Sequence, residues 1–155
     1  WLPSISSCSG LETLTFSTRL TLRHNAGLRT LMGLEGLRLE REPGSEFFYG
    51  MHLRIEENEQ LRSLAALGNV GQGIQDNKRY QTQGGSVRIV HNDELRSLHG
   101  LESFSGASSV ELKYNKKLES IAALGNLWRP FCEQCPVTVD IVGNGYLRNL
   151  QGLDW

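Results

Sequence analysis

Along residues 86–104, SVRIVHNDELRSLHGLESF, the spacing of the apolar positions changes halfway. Val87 and Ile89 step by two. After Asn92 the step is three, at Leu95, Leu98, Leu101 and Phe104. A strand alternates throughout and a helix mixes steps of three and four, so neither accounts for the whole stretch. The same pattern, apolar-x-apolar-x-x-Asn-x-x-apolar-x-x-apolar-x-x-apolar, starts again at four other places. They are Leu20 (LTLRHNAGLRTLMGLEGL), Leu53 (LRIEENEQLRSLAALGNV), Val110 (VELKYNKKLESIAALGNL) and Val139 (VDIVGNGYLRNLQGLDW).

The five asparagines are Asn25, Asn58, Asn92, Asn115 and Asn144, separated by 33, 34, 23 and 29 residues. The separation of 23 is the basic unit, and the longer ones imply insertions of about 10, 11 and 6 residues. These fall at 38–52, 71–86 and 128–138, always behind the last apolar position of a copy. Length added at one fixed corner costs little closure entropy. A weaker partial copy is expected within 1–19, in Ile5, Cys8, Leu11 and Leu14, with Cys8 in the place of the asparagine. The fifth copy would reach its next three-step position one residue past Trp155, so a fragment of a longer protein is expected.

Each half of a copy predicts an element. The two-step halves predict short strands near 20–22, 53–55, 87–89, 110–112 and 139–141. One such strand cannot bury its inner face or satisfy its backbone, but parallel stacking on its neighbours does both. The three-step halves predict an extended or 3₁₀-like return path that turns one edge inward at every third residue. RSLAALGNV and ESIAALGNL also suit an amphipathic helix, although LHGLESF and LQGLDW carry a mid-segment glycine and all four keep the step of three. The expected fold is one α/β-type repeat solenoid domain over 1–155 with few or short helices. An asparagine amide has two donors and one acceptor, so five in register predict a ladder joining each turn to the next.

These copies, with the next Leu three residues after Asn as in NDELRSLHGL and NKKLESIAAL, resemble leucine-rich repeats of the receptor L-domain type. The resemblance covers roughly residues 20–155. It implies a right-handed β-solenoid presenting a parallel sheet. It also implies an extracellular or cell-surface protein that recognises or scaffolds another protein.

Composition narrows the function classes. The chain of 155 residues is 39% apolar and 21% charged, as in ordinary globular domains. A formal charge of −1 gives no general attraction to nucleic acid or acidic membranes. No apolar run approaches the roughly 20 residues that span a bilayer. Three cysteines are too few for a disulfide framework.

Candidate chemistry lies mainly on the outward strand positions. With the strands in register, one column reads Thr21, Arg54, Arg88, Glu111, Asp140 and its neighbour reads Arg23, Glu56, Val90, Lys113, Val142. The face runs from basic to acidic, with Arg88 beside Glu111 and with Tyr114 and His91 nearby. A partner surface would use Arg54, Arg88, Glu111, Lys113, Tyr114 and Asp140. The plainer reading is a solvated face whose ion pairs contribute about 0–1 kcal/mol each. In the opening stretch, Arg88, Val90 and His91 are the residues left to meet a partner. The insertion EREPGSEFFYG adds Phe48 and Tyr49 as aromatic anchors or as a cover for the side of the coil.

Cys132 and Cys135, in FCEQCPV, form a C-x-x-C without a second ligand pair or a βαβ context. A local disulfide or two thiols is the expected state, rather than a redox or zinc centre. His24 and His91 share one corner two copies apart, too distant for a common metal. Glu56, Glu111 and Asp140 sit on different strands, which does not suit a carbohydrate-acting enzyme. With no catalytic motif present, the expectation is a non-enzymatic binding module with no cofactor or metal. A structural subunit of a large assembly is the alternative.

Overall fold

The computed structural model describes residues 5–15, 17–38, 52–70, 85–104, 107–126 and 137–153. Each two-step segment forms a strand: β1 Arg19–Arg23, β2 His52–Glu56, β3 Gly85–Val90, β4 Ala107–Lys113 and β5 Thr138–Val142. The five make one parallel sheet in chain order. Leu20, Leu53, Val87, Val110 and Val139 share one register row, and Leu22, Ile55, Ile89, Leu112 and Ile141 share the next but one. In β2, β3 and β4 both rows are buried to the last few square ångströms.

The strands are longer than the apolar pair that announced them. His52, Ser86 and Thr138, which the hydrophobic spacing assigns to the insertions, pair within the sheet. Backbone N–H and C=O groups pair whatever side chain they carry, so apolar spacing marks the middle of a strand and misses its ends. Most of the rest of the insertions, with Phe48, Tyr49, Cys132 and Cys135, lies outside the described residues.

The three-step residues complete the core. Leu28, Leu31, Leu34 and Leu37 are buried, as are Leu61, Leu64, Leu67 and Val70, Leu95, Leu98, Leu101 and Phe104, and Leu118, Ile121 and Leu124. The period of three has a hydrogen-bond cause. Leu28 N–H donates to the Asn25 carbonyl, Leu61 to Asn58, Leu95 to Asn92, Leu118 to Asn115 and Leu147 to Asn144, at 2.9–3.1 Å. Leu34 to Leu31 and Leu37 to Leu34 repeat it, whereas between Leu28 and Leu31 the backbone bonds to the preceding copy instead, Arg29 N–H to Ser6. Bonds of this i to i−3 type turn the chain by three residues and return each third side chain to one side. The alanine-containing copies close into short 3₁₀ helices, Ala65–Leu67 and Ala122–Asn126, not amphipathic α-helices.

Cys8 corrects one expectation. Leu11 N–H donates to Cys8 and Leu14 to Leu11, as Leu34 does to Leu31 and Leu37 to Leu34. Arg29 N–H meets the Ser6 carbonyl just as Arg62 meets Arg29. Cys8 is therefore level with Leu31 and takes a buried three-step position, 5% exposed, not the asparagine position. A small thiol side chain behaves as a core hydrophobe.

The copies also end in two different ways. In Gly10-Leu11-Glu12, Gly33-Leu34-Glu35 and Gly100-Leu101-Glu102 the glutamate carboxylate accepts the glycine N–H at 2.8–2.9 Å. In Ala66-Leu67-Gly68-Asn69 and Ala123-Leu124-Gly125-Asn126 the asparagine Nδ2 donates to the preceding copy, at the Glu35 and Glu102 carbonyls (2.7 and 2.9 Å). Gly100 has φ +106°, and a Cβ there would overlap the Leu64 carbonyl group. Only glycine combines that backbone angle with so close an approach. No helix among the described residues is long and apolar enough to cross a membrane.

Candidate functional site

Two networks cross the five strands, one inside the corner and one on the outer face. Inside, each asparagine Oδ1 accepts the backbone N–H of the asparagine before it: Asn25 to Asn58, Asn58 to Asn92, Asn92 to Asn115 and Asn115 to Asn144, at 3.0–3.3 Å. Each Nδ2 of the last four donates to a strand carbonyl of the preceding copy, Leu22, Ile55, Ile89 and Leu112 in turn. Asn58, Asn92 and Asn115 are fully buried. Their amides therefore take the place of water at these strand carbonyls.

The residue before each asparagine turns the corner in the left-handed region. His24, Glu57, His91 and Tyr114 have φ of 55–57° and Gly143 has φ 69°. Their side chains project outside the ladder. His24 Nδ1 meets Glu57 Oε2 at 2.7 Å, and the His91 and Tyr114 rings stack with centroids 5.0 Å apart. Gly143 lies under the Tyr114 ring, where a Cβ would collide with it.

On the outer face, the register places Thr21, Arg54, Arg88, Glu111 and Asp140 side by side. Arg23, Glu56, Val90, Lys113 and Val142 form the adjoining column. Three arginines converge on Glu56. Arg23 Nε is 2.7 Å and Arg54 Nε 2.8 Å from its carboxylate, and Arg88 Nε also bonds to it. Arg88 continues to Glu111, Lys113 joins Glu111 at 3.0 Å, and Lys113 also pairs with Asp140.

The outward position of Glu56 implied a solvated carboxylate, yet it is 3% exposed. Burial alone would raise its pKa, but the hydrogen bonds and charges of Arg54 and Arg88 outweigh it. They hold the carboxyl below its ordinary value. Val90 is likewise buried at 7% and is withdrawn from the partner surface. Val142, in the same column of the last strand, stays exposed.

One carboxylate cannot neutralise three guanidinium groups. The β1–β3 half of the face therefore carries surplus positive charge, while Glu111, Lys113 and Asp140 leave β4–β5 slightly negative. Arg54, Arg88, Glu111, Lys113 and Asp140 thus form one linked outer surface through Glu56, while Tyr114 lies at the corner on His91. Every acidic group in this network is held by a cation, which suits complementary charge recognition better than proton transfer. Among the described residues, no group of three or more His, Cys, Asp or Glu side chains could hold a metal ion. Sequence spacing located the columns. It missed the convergence on Glu56, since that depends on long side chains reaching diagonally between columns.

No protein-family model matches the chain, and no curated protein or solved structure matches it at a significant level.

Proposed function

We propose that the chain is a right-handed leucine-rich-repeat solenoid of receptor L-domain-like type, working as a non-enzymatic protein-recognition or scaffolding module at the cell surface or outside the cell. The observation that carries the reading is the continuous ion-pair network on the sheet face. Core positions repeat from copy to copy while the outward columns differ at each strand, which is the arrangement of a stable frame with a variable surface. The partner is a protein whose contacting surface carries the opposite gradient, acidic over β1–β3 and basic over β5. The extracellular assignment rests on the family resemblance.

The test is Arg88→Glu, measured as thermal stability and as binding to partners captured from the native source. The fold should survive with a loss of about 1 kcal/mol, since Arg23 and Arg54 still hold Glu56. Partner binding should weaken at least about tenfold, because like charges then face each other across the interface. Unchanged binding would move the interface away from the sheet. A structural subunit in a large assembly is the second reading. It is favoured by the apolar residues exposed on the fifth copy: Val139, Val142, Tyr146 and Leu150. Sedimentation separates the two readings. A recognition module stays monomeric, whereas a structural subunit associates through that end.

A further inference from the structure

Around the corner from the sheet face, a second backbone ladder links the copies four residues after each asparagine. Arg29 N–H donates to Ser6, Arg62 to Arg29, Glu119 to Arg96 and Arg148 to Glu119, at 2.9, 3.0, 2.8 and 3.3 Å. The step from the second copy to the third breaks the series. There the bond runs from Glu94 N–H to the Glu59 carbonyl at 3.2 Å, and no bond joins Arg96 N–H to the Arg62 carbonyl. In its place is a cleft of about 370 Å³ lined by Arg62, Glu94 and Arg96.

The side chains of the cleft carry unspent capacity. Along this column Arg29 bonds to Gln60, Arg96 to Glu119 and Arg148 to Glu119, at 3.2, 3.4 and 2.7 Å. Arg62 makes no side-chain hydrogen bond or ion pair among the described residues. Glu94 uses Oε1 to accept from Lys117 Nζ at 2.6 Å, which leaves Oε2 without a donor. The Lys117 bond and charge, with smaller contributions from the charges of Arg62 and Arg96, outweigh burial and hold its carboxyl below the ordinary value, so it is an acceptor at neutral pH. The cleft thus offers a guanidinium with no hydrogen bond among the described residues, whose charge acts only on Glu94, a second guanidinium only loosely engaged, a backbone N–H without an acceptor and one carboxylate oxygen beside them. Two guanidinium forks and an amide suit an oxyanion, and the volume, at the low end of ligand pockets, exceeds what a bare ion fills.

We propose that this cleft binds a small acidic sugar, its carboxylate or sulfate on Arg62 and the Arg96 guanidinium and amide, and a neighbouring hydroxyl on Glu94. The site lies on a different face from the proposed protein-recognition surface and does not depend on it.

The experiment follows the Arg96 backbone amide by ¹H–¹⁵N NMR while glucuronate, glucose 6-sulfate or neutral glucose is added to the full chain. At least one acidic sugar should give a saturable shift with an affinity about tenfold or more above that of glucose, since charge-assisted hydrogen bonds are the stronger ones. Whichever acidic sugar binds more tightly identifies carboxylate or sulfate as the group recognised. Arg62→Gln should weaken that binding about tenfold, while Arg148→Gln, in the same column where the ladder is intact, should leave it unchanged. The proposal is overturned if neither acidic sugar gives a saturable shift, or if glucose binds equally well. It is also overturned if the two variants behave alike.

Discussion

The asparagine ladder and the ion-pair network cross the same five strands a few ångströms apart, and they are built on opposite rules. The ladder uses one residue type five times and repeats the same bonds from copy to copy. The outer network uses arginine, lysine, glutamate and aspartate in an order that no copy repeats. Repetition is required inside, because each amide must meet the equivalent strand carbonyl and the next asparagine at each step. Outside, water can replace any lost partner, so residue identity is open to selection for another purpose. Substitutions in the two networks should therefore differ in kind, inner ones altering folding and outer ones altering charge display.

The largest effect is expected at Asn92. Truncation to alanine removes the acceptor for Asn58 N–H and the donor to Ile55 and Val90, all in a fully buried setting. Asn92→Ala should cost about 1–3 kcal/mol in urea unfolding; a loss under ~0.3 kcal/mol would show that the ladder is dispensable. Asn25→Ala, at the half-exposed end of the same ladder, should cost clearly less. Close behind comes Gly100→Ala, expected to lose about 1–3 kcal/mol through its left-handed backbone and its contact with the Leu64 carbonyl. Gly10 makes the control, with φ +101° but open space around the added Cβ. Equal losses at Gly10 and Gly100 would assign the whole effect to backbone angle and none to packing between copies.

Glu56 is where the two rules meet, a buried carboxylate in the outer network. Glu56→Gln keeps the shape and removes the charge that three arginines share. Because those arginines are 37–43% exposed and regain water, the cost should be about 1 kcal/mol, well below that of a sealed pair. Its pH dependence has a definite sign. The folded pKa lies below the ordinary value of 4.5, so the contribution is fully present above that value. It is lost as pH falls through the folded pKa, when the native state must also take up the proton. Wild type and Glu56→Gln should thus converge in stability on acidification below pH 4.5. A gap that stays constant there would mean that the carboxylate is not held by its arginines.

The change from a step of two to a step of three was legible because each has a local backbone cause: side chains alternate along a strand, and i to i−3 turns, separated by one extended step bonded to the preceding copy, return the apolar side chains to one side. Asn25 through Asn144 stood out for the same reason, as the one polar residue fixed within an apolar frame. Cys8 misled because a thiol passes for either a small polar residue or a core hydrophobe. Its backbone bond with Leu11 settles the register where side-chain chemistry does not. Asn69 and Asn126 were visible in the twice-used LGN triplet, yet their bonds to Glu35 and Glu102 depend on how successive copies stack. The burial of Glu56 was illegible for a related reason. Two of the three arginines that close over Glu56, Arg23 and Arg88, come from neighbouring strands more than 30 residues away in sequence.

The corner column tests the boundary between the two networks with the smallest expected effect. Tyr114 is half exposed, stacks on His91 and holds φ 55° beside the buried Asn115. Tyr114→Ala removes the stack and keeps the strained backbone, so it should cost about 0.5–1.5 kcal/mol. Tyr114→Gly removes the stack but also relieves a left-handed conformation that costs a residue with a Cβ about 1 kcal/mol, so its net effect should lie near zero. Gly143, the equivalent residue one copy on, already adopts this geometry. If alanine and glycine prove equally damaging, the ring belongs to the folding frame. If glycine restores what alanine loses, the aromatic side chain is not required by the frame and belongs with the outer face.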